Sequence, residues 1–194
     1  MRPVVGLQQC ETMSHAADPA APDGQREATI DELVAANAVY AASFDPDRAG
    51  CDISSPSPTR HTTVITCMDA RIDLFAALGL QLGQVHMIRN AGGIVTDDVL
   101  RSLVLSQRKL GTREVLIAHH TDCGLYGLDD DELLDEVAAE SGARPPFRFH
   151  GFTDLDESVR VSVAKVREAP FVPHREGVRG FVYEVATGHL REVG

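Results

Sequence analysis

The sequence predicts an α/β fold, a central and mostly parallel sheet flanked by helices. Three observations lead there. Short β-branched, apolar runs (HTTVITC, VHMIR, EVLIAH, GFVYEV) alternate with amphipathic stretches of helical length. Strands that alternate with helices in this way pair in parallel, because each crossover helix carries the chain back to the same end of the sheet. Finally, the polar residues best suited to chemistry fall at the carboxyl ends of the strands, where open α/β sheets bind their ligands.

In chain order, residues 1–28 show no hydrophobic period and mix Ala, Pro, Asp and Gly, the composition of a flexible tail. Cys10 lies in it, and Met13 offers an alternative start. Thr29 followed by Glu32 has the spacing of a capping box. Ile30, Leu33, Val34 and Val39 then extend a helix to about Phe44. Residues 45–59, rich in Pro and Ser, read as a loop that contains Cys51. Residues 61–67 form a first buried strand. Residues 73–78 turn helical until Gly79 or Gly83 stops them. Residues 85–89 form a second strand that ends in the turn Asn90-Ala91-Gly92-Gly93. Thr96 caps a helix with Asp97 and Asp98 in its first turn. Val99, Leu103, Gln107 and Leu110 lie on one face, and Gly111 closes it. Residues 114–119 are a third strand. Residues 129–140 and 154–168 are helices whose leading acids (129–132 and 154–157) suit solvated N-termini. Residues 180–185 are a last strand, followed by a Thr187-Gly188 turn. Residues 29–194 are therefore expected to form one domain.

Eighteen Lys and Arg against 29 Asp and Glu leave a charge of −11, with no basic run. Such a surface gains nothing from a nucleic acid or an anionic membrane. No apolar run approaches the roughly 20 residues needed to span a bilayer. Four cysteines are too few for a disulfide framework, and no secretory leader precedes them. The expectation is a cytoplasmic protein with free thiols.

Two strand-end motifs carry the chemistry. Cys67-Met68-Asp69-Ala70-Arg71 is C-x-D-x-R, and His119-His120-Thr121-Asp122-Cys123-Gly124 contains H-x-x-C. Cys67, His120 and Cys123 together supply two thiolates and an imidazole. Three such donors suit zinc and leave one tetrahedral position open, as catalytic sites do. Taken separately, Cys67 could be a strand-end hydrophobe and His120 a core histidine bonded to backbone.

C-x-D-x-R, then N-A-G-G after the next strand, then H-H-T-D-C-G resembles the β-class carbonic anhydrases, in particular their short actinobacterial-type members. The resemblance is nearly continuous over residues 63–124 and returns at RGFVYEVATGHL. It implies one zinc per chain on Cys67, His120 and Cys123, and an Asp69–Arg71 dyad at the catalytic position. It also implies a substrate pocket walled by Asn90, Ala91, Gly92 and Gly93, and a homodimer or larger even homo-oligomer. The reaction implied is reversible hydration of carbon dioxide to bicarbonate and a proton through zinc-bound hydroxide, faster as pH rises. Family members with Gly in place of His119 differ from this chain, and strand alternation points His119 away from the zinc donors. His86, in mid-strand, suits the core. The rival readings are hydrolysis of carbon disulfide or carbonyl sulfide on the same scaffold, and a zinc-binding regulatory protein without turnover.

Overall fold

A computed structural model describes residues 24–46 and 51–194. The tail reading for residues 1–23, with Cys10 and Met13, lies outside the described residues. The chain divides into two units at Asp45 and Pro46. The described part of the first is chiefly helix α1, Gly24–Ser43. It begins five residues before the expected capping box, so Thr29 lies inside the helix rather than at its cap. Gln25, Arg26, Glu27 and Ala28 all tolerate a helix, and a cap motif does not forbid the residues before it from continuing the spiral. Ile30, Leu33, Val34, Val39 and Tyr40 are all exposed on it.

The second unit holds strands β1 (Thr62–Cys67), β2 (Val85–Asn90), β3 (Glu114–His120), β4 (Val178–Tyr183) and β5 (Leu190–Val193). They form one sheet in the order β2-β1-β3-β4-β5. The first three pairings are parallel and the last is antiparallel. Strand β5 departs from the sequence reading. Its four residues, LREV, are polar at the two central positions, which are exposed, so no apolar period marks it. It is held by the turn before it and by its partners. Gly188 N–H donates to Glu184 O, and Arg179 on β4 grips Glu192 through two hydrogen bonds of 2.7 and 2.6 Å.

The helices are shared unequally between the two faces of the sheet. Helix α3 (Asp97–Leu110) and helix α5 (Leu155–Glu168) contribute Val99, Leu103, Val159, Val163 and Val166 to one core, with Ile65, Val115, Ile117, Val178 and Val182 from the strands. Val64 and Ala118 face the other way. They pack with Ile72, Leu125 and with Leu74 of the short helix α2 (Leu74–Ala77). Helix α3 starts and stops where its local signals put it. Thr96 Oγ1 accepts from Val99 N–H, and Gly111 is left-handed at φ 76° with its N–H on Ser106 O.

Helix α4 (Asp130–Ser141) begins with an acid that is not solvated, against expectation. Asp129 caps the helix through Asp131 and Glu132 N–H, the usual work of an N-cap acid. Asp130 instead is buried and accepts from Gly151 N–H at 2.6 Å and His150 N–H at 3.0 Å, with Arg148 alongside at 3.1 Å. Burial pushes the Asp130 carboxyl up, but Gly151, His150 and Arg148 outweigh it and hold it below the usual range. Among the described residues, no helix is long and apolar enough to cross a membrane.

Candidate metal centre

The sheet brings three strand ends together. Cys67 closes β1, and Asn90 stands opposite it on β2. His120 closes β3 beside Tyr183 of β4. After His120 the chain turns back sharply, with Asp122 in the left-handed region at φ 56°. The turn is fixed from both sides: Thr121 N–H donates to Tyr183 O at 3.0 Å, and Val185 N–H donates to Thr121 Oγ1 at 3.1 Å. Cys123 thereby returns to the sheet end. The donor atoms of Cys67, His120 and Cys123, all buried, lie within 4.8 Å of one another.

The donors fit a zinc ion on their own chemistry. Nδ1 of His120 lies 2.8 Å from Thr121 O. A carbonyl only accepts, so Nδ1 donates, and in the neutral ring Nε2 keeps its lone pair. That Nε2 is buried and has no hydrogen-bond partner. An unmet buried acceptor is costly, and a metal cation satisfies it. The Cys123 thiol, followed by His120 and by Asp69 and Gly92 N–H, draws the Cys67 thiol well below its ordinary value despite burial, and Cys123 is pushed up in return. Gly92 N–H donates to Cys67 Sγ at 3.3 Å. Burial alone would lower the His120 imidazole, but Cys67, the Thr121 carbonyl and Asp69 together raise it. A potential that draws a proton there also suits a cation, and mixed sulfur and nitrogen donors are those zinc takes.

Asp69 and Arg71 form the pair that their spacing anticipates. Arg71 Nε donates to Asp69 Oδ1 at 3.0 Å and Nη2 donates to Oδ2 at 2.7 Å, while Arg71 N–H adds a third bond to Oδ1 at 2.9 Å. The Arg71 side chain and its N–H hold the Asp69 carboxyl far below the usual carboxylate range. Arg71 Nη2 also donates to Asp122 O at 2.9 Å, which ties the two motifs together. Asp69 Oδ2 stands 3.9 Å from His120 Nε2.

The Asn90–Gly93 stretch makes a tight, kinked turn over Ala91–Gly93, in which both glycines are left-handed rather than helical. Gly92 has φ 75°, and a Cβ there would come within 2.5 Å of Leu125 Cδ1. The turn therefore takes no larger residue without moving that wall. Asn90 Nδ2 donates to Ile94 O at 2.9 Å, whereas its Oδ1 is buried without a partner. Among the described residues, Asn90 Oδ1 and His120 Nε2 are the buried side-chain polar atoms left unpaired.

His119 points away from this cluster, as alternation requires. Ser158 Oγ donates to Leu155 O, so His119 Nδ1 must donate to Ser158 Oγ at 2.8 Å. Nε2 then accepts from Ser162 Oγ at 3.3 Å. Burial pushes its pKa down to about 4, so the ring is neutral. His86 is likewise engaged, by Ser106 Oγ at 2.8 Å and Pro56 O at 2.9 Å. Sequence reasoning missed Arg89, whose side chain reaches the carbonyls of Cys67 and Asp69. Its residue type at the end of an apolar strand was the one available signal.

Comparison with known proteins agrees with this geometry. The sequence pattern of the carbonic anhydrase family matches residues 62–136. "Beta-carbonic anhydrase 1" of Mycobacterium tuberculosis is 44% identical over 163 residues, which cover 84% of this chain and 96% of that protein. "Carbon disulfide hydrolase" of an Acidianus species is 34% identical over 157 residues, covering 69% of this chain and 77% of that one. Among solved structures, the carbonic anhydrase of Streptococcus mutans superposes with a TM-score of 0.75 at 38% identity, covering 85% of this chain and 97% of that chain. With 44% identity over 96% of the mycobacterial protein's length, the chain belongs to the β-carbonic anhydrase family.

Proposed function

We propose that this chain catalyses the reversible hydration of carbon dioxide to bicarbonate and a proton, with one zinc ion held by Cys67, His120 and Cys123. The observation that carries the reading is the trio of buried donors with an unmet His120 Nε2, next to an ion-paired Asp69. When bound, zinc supplies a Lewis acid that brings the pKa of water from 15.7 towards about 7. The residues around it do the orienting. Asp69, kept ionised by Arg71, can only accept hydrogen bonds. It therefore turns any O–H beside it so that the oxygen lone pairs face away from the carboxylate. Arg71, itself anchored on Asp122 O, holds the Asp69 carboxylate by both oxygens. Gly92 N–H tempers the charge on Cys67 Sγ, and Asn90, Ala91, Gly92 and Gly93 wall the substrate pocket.

We further infer a cytoplasmic homodimer or larger even homo-oligomer. The apolar side chains exposed along α1 and the free Cys51, Cys67 and Cys123 support it. Neither nucleic acid nor membrane is a partner for a chain of charge −11. All of the proposed site residues fall within the expected domain at residues 29–194, whereas of the expected tail at residues 1–28 the stretch Gly24–Ala28 is instead the start of α1.

Stopped-flow hydration of carbon dioxide by zinc-loaded protein, at about pH 7 and about pH 8.5, tests the function. Turnover well above buffer, and faster at the higher pH, is expected. A protein with one zinc per chain and no turnover at either pH overturns the reading. Release of sulfide from carbon disulfide by that same protein would then assign it to the activity named for its Acidianus relative.

A further inference from the structure

The C-x-D-x-R segment leaves the sheet at Cys67 and must present a sulfur and a carboxylate two residues apart. A loop leaving a strand end has no ladder to steady it. Met68 N–H, donating to Asn90 O at 2.8 Å, continues the pairing by one residue. Beyond it, a single side chain takes the carbonyls on either side of Met68. Arg89, opposite Thr66 on β2, donates from Nε to Cys67 O at 2.9 Å and from Nη2 to Asp69 O at 2.7 Å. Asp69 O also accepts from Ile72 N–H at 3.1 Å, which starts the turn into α2.

Arg89 is exposed, and among the described residues it has no carboxylate partner. Exposed arginines without an acid ordinarily stay solvated, because ordering a long side chain costs entropy. Here the planar fork spans two backbone acceptors, a geometry a lysine ammonium cannot reproduce.

We propose that Arg89 is a positioning residue of the metal centre. Its guanidinium latches the backbone on both sides of Met68, and so fixes Cys67 Sγ and the Asp69 carboxylate relative to each other. The two arginines have separate roles, since Arg71 orients the carboxylate and Arg89 holds the chain that carries it. The inference rests on the proposed function only in taking Cys67 as a zinc donor and Asp69 as its neighbour in catalysis.

Arg89→Ala and Arg89→Lys, each zinc-loaded, are compared with wild type by melting temperature, kcat and KM, the rate of zinc loss to a chelator, and the visible spectrum after cobalt(II) substitution. Because the side chain is exposed, the Ala variant is expected to melt near wild type. Removing a residue that supports metal ligands costs on the order of tenfold, so zinc loss should be about tenfold faster and kcat about tenfold lower, with KM little changed. The cobalt bands, which read sulfur geometry directly, should change shape. Lysine, reaching one carbonyl at a time, should recover part of each effect. Wild-type zinc release and an unchanged cobalt spectrum in Arg89→Ala overturn the proposal. Should that variant not fold, Arg89→Lys decides: intermediate zinc release supports the latch and wild-type release overturns it. If wild type itself hydrates no carbon dioxide, the functional reading fails, while the ratio of zinc-release rates still judges the latch.

Discussion

His119 and His120 are neighbours on one strand and each is 1% exposed, yet they are opposite kinds of buried histidine. His119 engages both ring nitrogens with Ser158 and Ser162 of α5. His120 engages one with a backbone carbonyl and leaves the other bare among two sulfurs. Burial does not separate a structural histidine from a metal-binding one. Matching donors to acceptors does, because a satisfied ring has no capacity left and an unsatisfied one must be meant for something else.

The most severe way to break this contrast is His120→Ala. It should abolish stoichiometric zinc and reduce carbon dioxide hydration to the buffer rate, and one zinc per chain in that variant would remove His120 from the site. Asp69→Asn comes next. It keeps zinc but is expected to lose kcat by about 10²-fold, the scale of a lost positioned proton acceptor. Near-normal stopped-flow kinetics would take Asp69 out of the mechanism.

His119→Ala should do the reverse of His120→Ala. It leaves a cavity and two serines without their partner, so chemical unfolding should show a loss of about 2–3 kcal/mol. Zinc content should stay at one per chain. Should zinc be lost with stability intact, the two histidines would have exchanged roles.

Asp130 sharpens the comparison with a second buried group whose capacity is filled. Its carboxyl is held below the usual carboxylate range by Gly151, His150 and Arg148, against the effect of burial. A lowered acid contributes stability above its unfolded pKa and loses it as pH falls through the folded one. Asp130→Asn should therefore cost about 1 kcal/mol near neutral pH, and the gap should close as unfolding is measured below about pH 4. A gap that stays constant with pH would show that the two N–H bonds do not depend on charge.

Much of this was legible in the sequence because the signals are local. Thr96 and Gly111 bound α3 by cap chemistry that needs no partner, and the β-branched runs of β1 and β3 bury themselves. The metal donors were legible because only certain residue types serve. What escaped depends on distant partners. Strand β5 is made by Arg179 and the turn at Gly188 rather than by its own residues. Asp130 looks like any acid in a first turn until Gly151 closes on it. Arg89 acts on backbone carbonyls, which every residue has, so no spacing rule could reveal it. The early start of α1 escaped because a cap motif marks where a helix can begin, not where it must.

The parallel register of β1, β2 and β3 has one more consequence. Parallel neighbours can pair only after the crossover between them is complete, so Cys67 and Cys123 come together only once β1 and β3 have paired. The nascent chain therefore offers a metal little more than scattered thiols. Capture of zinc becomes a certificate of correct folding, and cellular zinc would be drawn into finished molecules in preference to unfinished ones.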